Sequence, residues 1–430
     1  MIETNPAKHF TISFIDILTA VYCGFCILEL NTSNYKFICL ILLIFWGVVA
    51  FFTDKSALVN AICNNIVLLL VLFALIYFLY VTLTRDIIYG MKYAFTIIIS
   101  ESPFILFLYY KGKKKTSDLS KILPWIGFVV IVYLCINILK LIAVDPNAAR
   151  KMAGYINVYQ DFITGGGYQI AYALSLLVPF LIFTFREYKY KLLTFFFIIV
   201  FTYTLIKCSY AIAILLAIFE LFLLIIWSKK SSSRSKATAV ISFLCLAVAL
   251  FLLRGFIGDV FINHISHLFN GTFVERRMIE FGQFIKGESK DLNGVIARIK
   301  LYGMSIKSFL DSPLIGTSYY TRFISDLEAG NYSTHYIGLH YVGLHSTIFD
   351  GFARIGVSFV LYIVYYWKAI NRIKYCVGEN TIMIVGVMFF LAKLINLADA
   401  FALGYIVYFV IPFLCESSRR EIYDLEESCT

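Results

Sequence analysis

A chain of 430 residues that is 60% hydrophobic, 17% aromatic and only 15% charged, with a mean hydropathy of +0.81, carries more apolar surface than a soluble core of that length can bury. The excess must face lipid, which excludes a wholly soluble fold. The net charge of +10 is accounted for by a Lys/Arg excess in short cytoplasmic loops and by anionic lipid headgroups, so it does not require nucleic acid.

Inside a bilayer every backbone N–H and C=O needs an internal partner, which leaves helices or closed barrels. The apolar runs here are long and continuous, about 16 to 23 residues, whereas barrel strands alternate over about ten. The sequence therefore predicts an all-α polytopic membrane protein with about twelve spans. In chain order they cover 10–28, 35–52, 61–83, 91–110, 123–144, 167–185, 192–206, 211–227, 237–256, 347–367, 381–396 and 401–415. The stretch 192–227 is divided at Lys207-Cys208-Ser209-Tyr210, because one helix of that length would run about 54 Å against a hydrocarbon core of about 30 Å.

The basic clusters at 111–115, 186–191, 228–236 and 368–374 all fall on one side of this count. By the positive-inside rule that side is the cytoplasm, with both termini inside and the first span retained as a helix. Of the 10 cysteines, Cys23 and Cys26 have CxxC spacing, but inside an apolar helix they read as small packing residues rather than a redox or metal pair. The domain organisation expected is helices over 1–256, a large periplasmic loop over 257–346, helices again over 347–415, and a cytoplasmic tail over 416–430.

That loop, about ninety residues, is far longer than a structureless connection and must fold as a unit. It opens with 260–269, whose apolar face suits a helix on the membrane surface, passes Val274-Glu275-Arg276-Arg277-Met278, and enters a helix over 292–310. Asp311-Ser312-Pro313-Leu314-Ile315-Gly316 closes that helix. At the far end His345 precedes Ser346-Thr347-Ile348-Phe349-Asp350, where Thr347 with Asp350 has capping-box spacing. His345 is therefore expected at the outer mouth of a span, where free N–H groups and the helix dipole favour an anion. Arg298, Arg276, Arg277, Arg254 and Arg354 are expected on the same outer surface, a set suited to phosphate or pyrophosphate. Each could equally be a snorkelling anchor. His335 and His340 lie in the same tyrosine-rich stretch as His345 and compete with it as bases.

Arg298, then Ser312-Pro313-Leu314-Ile315-Gly316, then His345-Ser346-Thr347-Ile348-Phe349 and Arg354-Ile355-Gly356-Val357 resemble the C-terminal signature of the O-antigen polymerase and O-antigen ligase superfamily. The resemblance covers about residues 295–360, and the layout of about twelve helices with one late periplasmic loop extends it. Where that family often carries Ser-Arg after the seventh helix, this chain reads Lys207-Cys208-Ser209-Tyr210.

The resemblance implies a GT-C glycosyltransferase of the bacterial inner membrane, without cofactor or metal. Its donor would be an undecaprenyl-pyrophosphate-linked oligosaccharide, and its further partners membrane lipid and a chain-length regulator protein. His345 and Arg298 would be catalytic, with Arg276, Arg277, Arg254 and Arg354 on the pyrophosphate. Tyr319, Tyr320, Tyr336, His335 and His340 would contact glycan, although interfacial tyrosines are as readily explained by an aromatic belt. Polymerisation of repeat units is the favoured activity, and ligation to lipid A core or protein the alternative. A flippase or transporter is the reading from another class, in which Glu101, Lys140, Glu220 and Lys393 would line a path.

Overall fold

The computed structural model describes residues 13–28, 35–84, 87–113, 123–145, 148, 167–188, 190–208, 210–227, 233–270, 273–288, 295–316, 346–395 and 401–416. Every element among them is helical. The first half contains α1 (Phe14–Leu28), α2 (Tyr35–Thr53), α3 (Lys55–Ile62), α4 (Asn65–Thr84), α5 (Ile87–Gly112), α6 (Leu123–Val144), α7 (Gly167–Thr184), α8 (Lys191–Lys207) and α9 (Ala211–Trp227). There follow α10 (Ser233–Leu252), α11 (Arg254–Val260), α12 (Phe273–Lys286), α13 (Val295–Asp311), α14 (Thr347–Ile355), α15 (Val360–Val377), α16 (Thr381–Ile395) and α17 (Phe401–Tyr405), which continues through a π-helical turn at Ile406–Val410.

Among the described residues six helical segments are long and apolar enough to cross a membrane: Tyr35–Thr53, Asn65–Leu83, Gly90–Gly112, Trp125–Val144, Ile170–Glu187 and Thr347–Val377. Phe14–Leu28, Ile212–Trp227, Thr381–Ile395 and Ala402–Glu416 are shorter apolar helices. Phe37, Phe52, Leu72 and Phe195 stand outward, an arrangement unfavourable in water and natural in lipid. The chain is thus an all-helical membrane protein.

Several boundaries differ from the sequence expectation for local reasons. The expected span 61–83 begins instead at Asn65, because Asp54 caps a separate short helix by accepting the Ala57 N–H at 2.9 Å, and Asn64 restarts the chain by accepting the Ile66 N–H at 3.0 Å. The expected span 237–256 ends at Leu252, and Leu253, at φ −96° and ψ 14°, leaves helical geometry before α11 begins. The expected span 347–367 is interrupted, since Gly356 takes φ +63° and a 3₁₀ turn over Gly356–Phe359 precedes α15. The expected division between α8 and α9 occurs where the sequence places it.

Contacts between helix ends sort them into two faces. On one face Lys113, just past α5, lies 3.9 Å from Asp16 in the first turn of α1, and Lys111 pairs with Glu416 after α17. Asp16 also accepts from the Ser13 hydroxyl at 2.6 Å and from the Tyr110 hydroxyl at 2.9 Å, so its buried carboxylate is satisfied. On the opposite face Ser346, preceding α14, meets the carbonyl of Lys393 near the end of α16, and the Tyr302 hydroxyl bonds to the carbonyl of Ile395.

Between the faces the core is aromatic. Phe104 of α5, Tyr365 and Tyr366 of α15, Phe389 of α16 and Tyr408 interlock in edge-to-face and tilted pairs, with Phe104 to Tyr365 centroids 6.1 Å apart. Cys23 and Cys26 are buried in the same core and are not disulfide-bonded. The chain after α10 forms a small helical pair: α11, running on through 261–269, packs on α12, with Phe261 and Phe281 rings 5.0 Å apart. Lys286 bonds to Asp259 at 2.9 Å, and this hydrogen bond, with Glu288 adding to it, pushes the ammonium pKa up.

Candidate functional site

Residues 295–316 and 346–357 lie side by side on the second face. Tyr302, Ser305 and Phe309 share one side of α13, at the three- and four-residue spacing of a helix face. They meet Phe349, Asp350 and Phe352 in that order: Tyr302 and Phe349 rings are 5.4 Å apart, the Ser305 hydroxyl donates to Asp350 Oδ1 at 2.6 Å, and Phe309 and Phe352 rings are 5.4 Å apart. Residue numbers rise together on both helices, so α13 runs parallel to α14. The turn after α13 completes the contact, because the Val357 N–H donates to the Pro313 carbonyl at 2.7 Å.

The mouth of α14 is capped by Ser346 rather than by the Thr347 expected from spacing. Ser346 Oγ accepts the Phe349 N–H at 3.1 Å, while the Ser346 N–H donates to Asp350 Oδ2 at 3.2 Å. This is a reciprocal box with the acid one position further along than usual, and Asp350 can serve it because its second oxygen is turned toward Ser305. Ser346 Oγ also lies 3.4 Å from the Lys393 carbonyl, which seats the mouth against α16.

Arg354 sits one turn below Asp350 and is half-buried. Its guanidinium hydrogen-bonds to Tyr77 of α4 and lies within electrostatic reach of Tyr93 of α5 and of Asp350. Tyr77 and Tyr93 rings are 5.8 Å apart, so the N-terminal half of the chain supplies an aromatic wall to this arginine. Below it the buried Glu101 accepts from Tyr362 at 2.7 Å and Tyr365 at 3.2 Å. The equally buried Lys393 stands over the Phe389 ring at 4.7 Å and the Tyr362 ring at 5.4 Å, within cation–π range. Tyr362 therefore touches both buried charges.

Of the residues expected at the site, Arg298 lies on the first turn of α13, and Arg354 on α14 directly beside that helix. Arg254 opens α11 and is exposed, and Arg276 and Arg277 lie on α12, so these three belong to the neighbouring helical pair. His345, His335, His340, Tyr319, Tyr320 and Tyr336 lie outside the described residues. Among the described residues no group of three or more His, Cys, Asp or Glu side chains is placed to hold a metal ion.

Asp350, Ser305, Tyr77 and Tyr93 were not singled out as site residues by their sequence context, apart from Asp350 as a cap. Ser305 and Asp350 are 45 residues apart, and no local spacing links them. Of the four intramembrane charges noted in the sequence, Glu101, Glu220 and Lys393 are buried and Lys140 is exposed. Both Glu220 carboxylate oxygens and the Tyr408 hydroxyl are buried and find no hydrogen-bond partner among the described residues.

The arrangement defines a polytopic helical membrane protein with a buried, charge-bearing cluster at one end of its helices. No protein-family model and no curated protein matches the chain.

Proposed function

We propose that the protein is a glycosyltransferase that polymerises undecaprenyl-pyrophosphate-linked oligosaccharide repeat units into O-antigen or capsular polysaccharide. The observation that carries this reading is the parallel packing of α13 on α14. It gathers the Arg298 helix, the Pro313–Gly316 turn, the Ser346 cap and Arg354-Gly356 into one unit, although they are scattered over the sequence. In this reading the chain crosses a bacterial inner membrane about twelve times, both termini are cytoplasmic, and residues 257–346 form the periplasmic loop.

The chemistry suits such a cluster. A sugar hydroxyl attacks the anomeric carbon of the donor, the bond from that carbon to the pyrophosphate oxygen breaks, and undecaprenyl pyrophosphate departs with its negative charge. Arginines on adjoining helices stabilise that charge, most strongly where water is excluded. His345, directly before the capped mouth, takes the hydroxyl proton as general base.

The reading is tested with purified protein in lipid and a synthetic undecaprenyl-pyrophosphate oligosaccharide. The expected product is a ladder of longer glycans with release of undecaprenyl pyrophosphate, lost in Arg298→Ala and partly kept in Arg298→Lys, whose point charge lacks the planar fork. Turnover only when lipid A core or a protein acceptor is added would make it the ligase. A transporter is the second reading, supported by Glu220, which is buried and has no hydrogen-bond partner among the described residues. Movement of lipid-linked glycan across vesicles without new glycosidic bonds would establish it.

A further inference from the structure

Helix α9 buries one stripe, Ala213, Leu216, Ala217, Glu220, Leu223 and Leu224, at the three- and four-residue spacing of a helix face, and turns Leu215 and Ile218 outward. Glu220 is thus an acid in the middle of an apolar seam that faces the protein interior rather than lipid. It is 0% exposed, and neither carboxylate oxygen has a hydrogen-bond partner among the described residues. Glu101 shows the contrast: also buried, it accepts two tyrosine hydroxyls. A carboxylate isolated in apolar surroundings is too costly to keep its charge, and the group takes up a proton instead.

The neighbouring helices do not relieve that cost. α9 packs against α7, α8, α10 and α16. The charged and titratable side chains described on them are Tyr172 on α7, Lys191, Tyr203 and Lys207 on α8, Arg234 and Cys245 on α10, and Lys393 on α16. Lys191, Lys207 and Arg234 are exposed at helix ends, Tyr203 and Cys245 face outward, Tyr172 is buried, and Lys393 stands over Phe389 and Tyr362. None of them acts on Glu220 electrostatically. Short connections after α7 and after α8 reverse the chain twice, so α7 and α9 run the same way. Ser175, the ninth residue of α7, then lies at a depth similar to Glu220, the tenth of α9. The Ser175 hydroxyl already donates to the Tyr172 carbonyl at 2.8 Å and is no donor for a carboxylate. Pro179, inside α7, has no N–H for the Ser175 carbonyl four residues before it. At this depth α7 thus presents an acceptor and no donor, which suits the O–H of a neutral acid.

We propose that Glu220 is a proton-binding site inside the helical bundle: its carboxyl holds a proton at neutral pH and exchanges it within the membrane. A metal cation fits less well, because it needs a shell of several oxygens. The assignment goes beyond the function proposed above and does not rest on it, since an intramembrane acid of this kind is compatible with polymerase and transporter alike.

Infrared difference spectra of the full-length protein in lipid nanodiscs, parent minus Glu220→Gln, test it. Gln has the size and neutrality of a protonated glutamate, so this variant should fold with an unchanged melting temperature. At neutral pH the difference should contain the C=O band of a neutral carboxylic acid, shifted in heavy water. A glutamate in water, which titrates near about pH 4.3, would give the band pair of a carboxylate instead. Dicyclohexylcarbodiimide, a lipid-soluble reagent for protonated carboxyls, is the second probe. The proton of the acid passes to one carbodiimide nitrogen, the carboxyl oxygen bonds to the central carbon, and an acyl shift to nitrogen leaves an N-acylurea that retains every atom of both partners. Mass spectrometry should find this adduct on Glu220 at neutral pH.

A carboxylate band pair at neutral pH would overturn the proposal. So would a neutral-acid band that never shifts in heavy water, because the proton would then not exchange. Suppression of the adduct by Na⁺ at constant pH would make this a metal-cation site and overturn it too. If Glu220→Gln does not fold, adduct mapping in the parent decides alone, and no adduct on Glu220 would refute the proton assignment.

Discussion

Gly316 and Gly356 stand back to back, each in a positive-φ conformation, at +66° and +63°. A Cβ on Gly316 would come within 2.5 Å of the Ile355 nitrogen, and one on Gly356 within 2.5 Å of the Pro313 carbonyl oxygen. The turn that ends α13 and the break that ends α14 are therefore one interlocked feature.

Replacing either glycine by Ala should destabilise the protein, by about 1–3 kcal/mol at Gly356, whose ψ of −148° lies in a region essentially reserved for Gly. Gly303, in the middle of α13 with open space around it, is the control. Gly303→Ala should stabilise by about 0.5–1 kcal/mol. Thermal unfolding in detergent reads all three, and equal effects at Gly303 and Gly356 would refute the interlock.

The membrane arrangement predicts the behaviour of reporters that are active only outside the cytoplasm. Fusions after Asn293 and Gly330 should be active, and fusions after Lys114 and Ser232 inactive. The opposite pattern would invert the faces and put residues 257–346 on the cytoplasmic side, where the proposed reaction would lack its substrate.

His345 should contribute chemistry rather than stability. Gln keeps part of its hydrogen bonding but cannot take up a proton, so His345→Gln should bind the lipid-linked donor and polymerise at least about a hundredfold more slowly. A near wild-type rate in that variant, with His335→Gln or His340→Gln inactive, would move the base to another histidine.

Much of the helical layout was legible because it rests on continuous apolar runs and local breaks. The division at Lys207–Tyr210 follows from length alone, and α6 and α9 have the ends that hydrophobicity gives them. The cap stands one residue earlier than the spacing implies. Thr347 and Asp350 have the right spacing, but Ser346 is the residue in extended conformation, at φ −145° and ψ 123°, with its hydroxyl aimed at the Phe349 N–H. The Pro and Gly signals at 313–316 and 356 announced two turns and could not announce that each fills the space the other lacks. Contacts such as Ser305 with Asp350, or Arg354 with Tyr77, join residues distant in the chain, and one sequence contains no periodicity that would reveal them.

Glu101 and Lys393 give the last prediction. Glu101 is 2% exposed and Lys393 3%. Glu101 holds the Tyr362 hydroxyl at 2.7 Å, and the Lys393 ammonium lies 5.4 Å from the centre of the same ring. A tyrosine whose hydroxyl donates to a carboxylate has a more electron-rich ring, so the acid strengthens the attraction of that ring for the ammonium. Removing either buried charge strips Tyr362 of the group it bonds to or stacks beneath, at a cost of about 1–3 kcal/mol. Glu101→Gln and Lys393→Met should therefore each lower protein abundance and melting temperature sharply. Combined, they should lose less than the sum of the two, by a coupling of about 1–3 kcal/mol. Tyr362→Phe keeps a ring beneath Lys393 and removes one donor from Glu101, so it should cost only about 1 kcal/mol. Strictly additive losses in the double variant would show that the two charges do not sense each other through Tyr362. A double variant that regains stability and still makes polymer would assign the pair to the scaffold of the site. One that regains stability but makes none would place a buried charge among the groups the reaction needs.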